Sequence, residues 1–362
     1  MCNRITAVVL TLAILPTPST WASFQCAASE SDLRTAIEET HKKQQNVGLA
    51  AAIVQDDQVI FEQYLGLADV DFNVPVDEQT LFGIASITKL YTAVTLLQLR
   101  AEERIDLEDI VQEHLPEFPR KPQGDISLEM LALHTSGLPH LQSIRTPDLY
   151  ATHFETAVEA IGLFADDELL FPPGTKASYS SSNYNLLAAI LEKATDDNFK
   201  NLVAARIFRP LELSDSSFAD VRRPLENRAS RYSYYHPWTY AESDELFVVP
   251  LWDYSFNMGG GNIVATAIDV ARFGVALSKP GLLPPEDLEL LQSTDWFGQI
   301  DESGRKSLYV SGANPGVQAG LSVIPDNGIS AVVLSNTWGH GSRSGEMTQL
   351  AARMAQLCAG GQ

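Results

Sequence analysis

Ser86-Ile87-Thr88-Lys89 sets a hydroxyl and an amine one helical turn apart. A serine hydroxyl is a poor nucleophile unaided, and an S-x-x-K helix brings a nitrogen within reach of the oxygen to take its proton. The tetrapeptide alone is weak evidence, because Ser303-Gly304-Arg305-Lys306 repeats it in a polar stretch whose glycine marks a turn. Context separates the two. Ser86 leads into the apolar-periodic run from Thr88 to Arg100, which predicts a largely buried helix with positions i and i+3 on one face. Ser86 and Lys89 would then point together into a cleft at the helix N-terminus, where free backbone N–H groups favour a developing oxyanion. The competing reading is a serine N-cap followed by a surface lysine.

Elements at both chain ends must hold that helix. Val47 to Gln55 and Gln58 to Tyr64 read as a hairpin turning at Asp56-Asp57, while Ser307 to Gly312, Ala319 to Pro325 and Ile329 to Ser335 read as three further strands. Helices are expected around Ser31 to Gln45 and Gly345 to Leu357. Between the strand groups the periodicity is helical, at Ser127 to His134, Phe154 to Ala165, Asn185 to Ala194, Asn198 to Phe208 and Ala267 to Leu277. Little of this middle part looks like sheet. The predicted architecture is α/β (α+β): an antiparallel sheet flanked by helices, built from residues 24–115 and 256–362, with a mainly helical domain inserted over 116–255. An aromatic-rich stretch from Tyr232 through Trp238 and Trp252 to Phe256 would either wall a ligand cleft or plug the junction between the domains.

Residues 1–23 read as a secretory signal peptide: Arg4 gives a positive start, Ile5 to Leu15 is an apolar run, and small residues close it. The run is too short to span a bilayer, so a secreted or periplasmic protein without membrane insertion is expected. A lipoprotein anchor at Cys26 is the rival reading, and bulky Phe24 and Gln25 argue against it. After cleavage Cys26 and Cys358 remain, one near each end. They are either bridged, tying the two terminal helices together, or two unpaired buried thiols. A formal charge of −21 disfavours nucleic acid and anionic lipid, both of which need clustered lysine and arginine. The histidines show no metal-ligand spacing, and neither a metal nor an organic cofactor is implied. The sequence does not fix an oligomeric state.

A second constellation, Pro173-Gly174-Thr175-Lys176-Ala177-Ser178-Tyr179-Ser180-Ser181, follows His134-Thr135-Ser136-Gly137-Leu138-Pro139 and precedes Gly259-Gly260-Gly261-Asn262-Ile263-Val264-Ala265-Thr266. With S-x-x-K, this ordered set resembles the serine β-lactamase and penicillin-binding-protein-like hydrolases, and within them the class C branch with its esterases and D-amino-acid peptidases. The resemblance runs from about Leu33 to the end. It implies that Ser86 is the acylated nucleophile, Lys89 its hydrogen-bonded partner and Tyr179 the tyrosine of a Tyr-x-Asn motif. The family's third motif, Lys-Thr-Gly or His-x-Gly, falls on Val310-Ser311-Gly312, and the implied oxyanion hole is the backbone N–H pair of Ser86 and Ala313.

Two departures bear on substrate. Ser181 replaces the motif's asparagine, and Val310 replaces its cation or imidazole, the usual partner of a substrate carboxylate. Losing a charge-assisted hydrogen bond costs about 1.5–3 kcal/mol. The expected substrate is therefore an uncharged ester or small amide. A β-lactam or D-amino-acid peptide is the alternative, and a non-catalytic binding or assembly protein of the same fold the second alternative. His134 and the glycines at 259–261 are expected to shape the site rather than to react.

Overall fold

The computed structural model describes residues 26–141, 147–300, 304–339 and 345–360. The proposed signal segment, 1–23, and Ser303 of the second S-x-x-K match lie outside the described residues.

The framework is a seven-stranded antiparallel sheet in the order β3-β2-β1-β12-β11-β10-β9. Its strands are β1 (Gly48–Gln55), β2 (Gln58–Asp69), β3 (Val74–Pro75), β9 (Gly298–Ile300), β10 (Lys306–Asn314), β11 (Val317–Ile324) and β12 (Ile329–Ser335). Asp56 and Asp57, at φ 46° and 69°, make the tight turn of the first hairpin, since two successive positive φ values match the twist of the flanking strands. β1, β11 and β12 are apolar almost throughout because both faces are covered. Alternation divides their side chains between two cores. Ala50, Ala52, Val332, Leu334 and Leu321 join a large core under the helical half, while Leu49, Ala51, Ile53, Ala331 and Val333 join a smaller one under the terminal helices.

Those terminal helices are α1 (Glu30–Gln44) and α12 (Glu346–Cys358), and Cys26 is disulfide-bonded to Cys358. Ser29 caps α1 in a reciprocal box with Asp32. On the other face lie α2 (Thr88–Ala101), α3 (Val111–His114), α4 (Leu128–Ala132), α5 (Pro147–Ala151), α6 (Ala157–Ala160), α7 (Ser181–Thr195), α8 (Phe199–Val203), α9 (Met258–Gly261), α10 (Ala267–Ala276) and α11 (Pro285–Leu291). α2 and α7 are buried over most of their lengths, which accounts for their apolar composition.

Two small sheets complete the fold: β4 (Phe82–Gly83) and β5 (Ser216–Phe218) flank β8 (Ile263–Ala265), while β6 (Tyr232–Tyr235) lies between β7 (Glu242–Val248) and β13 (Thr337–Trp338). The middle of the chain thus carries more sheet than its periodicity predicts. β7 was hidden because its sequence, Glu242-Ser243-Asp244-Glu245-Leu246-Phe247-Val248, is polar and mostly exposed. The helix expected over Phe154 to Ala165 shortens to α6 and a 3₁₀ turn, Ile161–Leu163, with Gly162 inside it. Among the described residues, no helix is long and apolar enough to cross a membrane.

Candidate active site

Ser86 sits in a 3₁₀ turn, Ala85–Ile87, between β4 and α2, so the α-helix proper begins two residues after it. Ala85 adopts φ 44°, a left-handed conformation that costs a non-glycine residue about 1–3 kcal/mol and persists only when its surroundings enforce it. The turn leaves Ser86 partly exposed while Lys89 is 2% exposed. Lys89 Nζ donates to Ser86 Oγ (3.3 Å), to Ser181 Oγ (3.0 Å) and to the Gly260 carbonyl oxygen (2.7 Å). Tyr179 Oη donates to Ser86 Oγ at 2.7 Å. The ammonium also lies 4.9 Å from the Tyr179 ring centroid, within cation–π range. The sequence-predicted trio is therefore in mutual contact.

Ser181 opens α7, where Ser180 is the N-cap. Although its side chain is shorter than asparagine, its position on the first turn lets the hydroxyl reach Lys89. Ser181 thus helps to hold Lys89 from the position of the motif's asparagine. Gly260 contributes its carbonyl by close approach: a Cβ there would stand 2.2 Å from Asn257 Oδ1, and one on Gly259 would stand 2.2 Å from the Tyr184 carbonyl oxygen.

β10 supplies the opposite wall. A Cβ on Gly312 would stand 2.3 Å from the Ile84 carbonyl oxygen and 3.2 Å from Ser86 N, so the strand and the nucleophile turn meet backbone to backbone, with Ala313 next in line. Gly312→Ala is expected to push the strand off the turn, costing about 1–3 kcal/mol by overpacking. Urea denaturation measures that loss, and the rate of fluorophosphonate labelling should fall with it.

Val310 shares the Gly312 face of β10, is 6% exposed and belongs to the large core. Ser311 does not face the site. It pairs with Gly320, whose missing Cβ is replaced by the backbone of Met347 in α12, and its hydroxyl is buried on that side without a partner. Reading the motif as a string put Ser311 with the substrate-binding residues; strand alternation turns it away. Lys306 shares the Val310 face but lies four residues, about 13 Å, upstream. Asn314, two residues beyond Gly312, does reach inward: a Cβ on Gly261 would stand 3.6 Å from its Nδ2 and 2.7 Å from that of Asn257. The same alternation would have found it.

Two histidines hold the Tyr179 segment. His134 Nδ1 accepts from Ser180 N (3.2 Å), His140 Nδ1 accepts from Ser181 N (3.0 Å), and both rings pack on Tyr179 at centroid distances of 4.6 and 5.5 Å. Of these, the sequence had singled out only His134. Burial foremost, then the charges of Lys89 and His140, lower the His134 pKa from 6.5 to about 3. The native state therefore refuses a proton that the unfolded chain takes up below pH 6.5. Its contribution to stability is whole above that pH and is lost toward pH 3, by up to about 1.4 kcal/mol per unit. His134→Asn, which keeps an acceptor and suits the φ of 59° at this position, should flatten the stability profile between pH 6 and 4 by about that slope, as measured by urea denaturation at each pH.

The aromatic stretch divides. Trp252, Tyr254 and Phe256 are buried around Tyr150, whose ring stacks on Trp252 at 4.4 Å, whereas Tyr235 and Tyr240 pack on Trp338. The first group is core. Among the described residues, no cluster of His, Cys, Asp or Glu is arranged to hold a metal.

A serine held between a phenol and an ammonium, beside a strand edge and at the mouth of a buried helix, has the geometry of a serine-hydrolase centre. Residues 33–356 match the family described as Beta-lactamase, and the chain belongs to that family. Protein flp of Staphylococcus aureus is 28% identical over 56% of this chain and 41% of its own length. The Homo sapiens mitochondrial serine beta-lactamase-like protein LACTB is 25% identical over 67% of this chain and 58% of its own. The chain thus spans less than two thirds of these relatives. A D-stereospecific amidohydrolase from Streptomyces sp. superposes with a TM-score of 0.75 at 22% identity, covering 90% of this chain and 98% of that one, which shows a shared fold.

Proposed function

We propose that the protein is an exported serine hydrolase that forms an acyl-enzyme on Ser86 and acts on an uncharged ester or small amide. The observation that carries this reading is the contact of Ser86 Oγ with both Tyr179 Oη and Lys89 Nζ. Ser86 Oγ attacks the substrate carbonyl as its proton passes into the Tyr179–Lys89 pair. The carbonyl oxygen takes up negative charge near the backbone N–H groups of Ser86 and Ala313, and the leaving group departs with a proton from the same pair. Water then attacks the acyl carbonyl, gives its proton back to the pair, and Ser86 is released. The ammonium has no carboxylate partner among the described residues and lies against the Tyr179 ring, so its charge faces the negative charge that develops as the proton leaves Ser86.

The preference for uncharged substrates rests on Val310, which puts an apolar group where the family's cation would meet a carboxylate. Export is supported by the composition of residues 1–23 and by the Cys26–Cys358 bond, which suits an oxidising compartment. A second reading, a β-lactamase or D-amino-acid peptidase, draws on Asn314, whose amide offers a neutral donor on the site face of β10.

Rates on p-nitrophenyl butyrate and nitrocefin test the reading. Ester turnover exceeding nitrocefin turnover is expected, and the reverse order would promote the second reading. Absence of both turnover and fluorophosphonate labelling in wild type would favour a non-catalytic protein.

A further inference from the structure

The segment from Asn227 to Arg231 runs beside the strand that leads to the nucleophile. Leu81 N donates to the Asn227 carbonyl oxygen (2.9 Å), Ala229 N donates to that of Leu81 (3.0 Å), and Arg228 is bridged to Leu81. Arg231 comes next, at the level of Gly83. A Cβ on Gly83 would stand 3.4 Å from Arg231 Nη2, and one on Gly316, in the β10–β11 turn, would stand 2.5 Å from Arg231 Cβ. Two glycines thus make room for one arginine between β4 and the turn that follows Ala313.

What the two arginines lack is a counter-charge. Nη1 of Arg228 and Nη1 of Arg231 are both buried without a hydrogen-bond partner. Among the described residues, neither arginine makes an ion pair, in a chain with 46 acidic and 25 basic residues. Asp69, bonded to the same segment, is turned to Ser230 Oγ (2.7 Å) and Phe72 N (2.9 Å). Arg231 has the Tyr254 ring beneath it at 5.2 Å, a cation–π contact rather than an ion pair. Burial, with the like charge of Arg228 acting in the same direction, lowers the Arg231 pKa against an opposing effect of Tyr254. A buried cation left uncompensated is costly, and guanidinium N–H groups match the geometry of carboxylate and phosphate oxygens. Arg231 and Gly83 both keep partial exposure.

We propose that Arg228 and Arg231 form a binding pocket for a small oxyanion, a carboxylate or phosphate group, at the edge of β4 three residues before Ser86. The oxyanion bridges the two guanidinium groups and ties the 227–231 segment to the nucleophile strand. With an uncharged substrate, as proposed above, it is a free anion; a carboxylate borne by the substrate has the same chemistry and would instead favour the second reading.

The test titrates the whole mature chain with inorganic phosphate, and separately with acetate, at ionic strength held constant with sodium chloride. Calorimetry and thermal unfolding read binding without turnover, so the result stands apart from the proposed acyl-enzyme. Saturable binding is expected in wild type, weakened at least tenfold in Arg231→Met and measurably in Arg228→Met. Arg231→Lys should retain part of it. Kinetics on p-nitrophenyl hemisuccinate and p-nitrophenyl butyrate then locate the source. If phosphate competes with the hemisuccinate, and the hemisuccinate-to-butyrate ratio of kcat/KM falls tenfold in Arg231→Met, the anion is substrate-borne. If phosphate binds saturably and that ratio is unmoved, it is a free anion. Binding that does not saturate in wild type, or is equal in wild type and both methionine variants, overturns the pocket. Should Arg231→Met fail to fold, Arg228→Met carries the comparison.

Discussion

Ser86→Ala is expected to lower kcat/KM on p-nitrophenyl butyrate by about 10⁴-fold or more and to abolish fluorophosphonate labelling, while the protein unfolds at nearly the wild-type temperature. Both halves follow from the geometry. The hydroxyl is the point on which Tyr179 and Lys89 converge, so without it the remaining groups bind and polarise a substrate but form no covalent bond to it. Ser86 is partly exposed, and Lys89 keeps Ser181 and Gly260 as partners after the change. Structural damage is therefore slight. Intact-mass spectrometry with the probe, beside a melting curve, reads the two halves separately. Labelling that persists in Ser86→Ala would move the nucleophile elsewhere, and unaltered turnover would remove the acyl-enzyme altogether. A binding protein that merely retains the fold would show no labelling in wild type either. The left-handed Ala85 argues against that outcome, since the strain it stores positions the adjacent serine.

Much of this site was written in local patterns. S-x-x-K before an apolar run marks the helix that buries Leu90, Val94 and Leu97 and brings Ser86 and Lys89 together, whereas the 3₁₀ turn ahead of it was not read. The sheet was legible for the same reason: β1, β11 and β12 are mostly apolar runs bounded by turns. What escaped were features set by three-dimensional register. Ser311 and Asn314 flank Gly312 and Ala313 on β10, yet alternation sends one toward α12 and the other toward Gly261. The reach of Ser181 to Lys89 depends on where α7 begins, which its residue type does not disclose. His140 was unremarkable in sequence because accepting a backbone N–H leaves no motif. Cysteine pairing was open until the ends of the chain were seen to meet, with Ala27 N donating to the Cys358 carbonyl oxygen at 3.1 Å.

Lys89→Met should separate activity from stability in the opposite sense to most core substitutions. Lys89 is 2% exposed and, among the described residues, has no anionic partner; three oxygens and two aromatic faces hold it. Removing an ammonium from water without a counter-charge costs several kcal/mol even after relaxation, and neutral acceptors recover only part of it. Methionine fills a similar volume, ends the desolvation penalty and leaves the Gly260 carbonyl oxygen unpaired, at about 1–3 kcal/mol. The first effect is the larger, so the melting temperature is expected to stay level or rise. Activity goes the other way, because methionine offers neither a charge to stabilise proton transfer from Ser86 nor a nitrogen to take part in it. A fall in kcat of about 10³-fold or more is expected, at nearly unchanged substrate affinity. Parallel calorimetry and burst kinetics measure the two quantities. A marked drop in stability would mean that Lys89 is held chiefly as a structural tether between α2, α7 and α9, and a small drop in kcat would leave Tyr179 alone as the base.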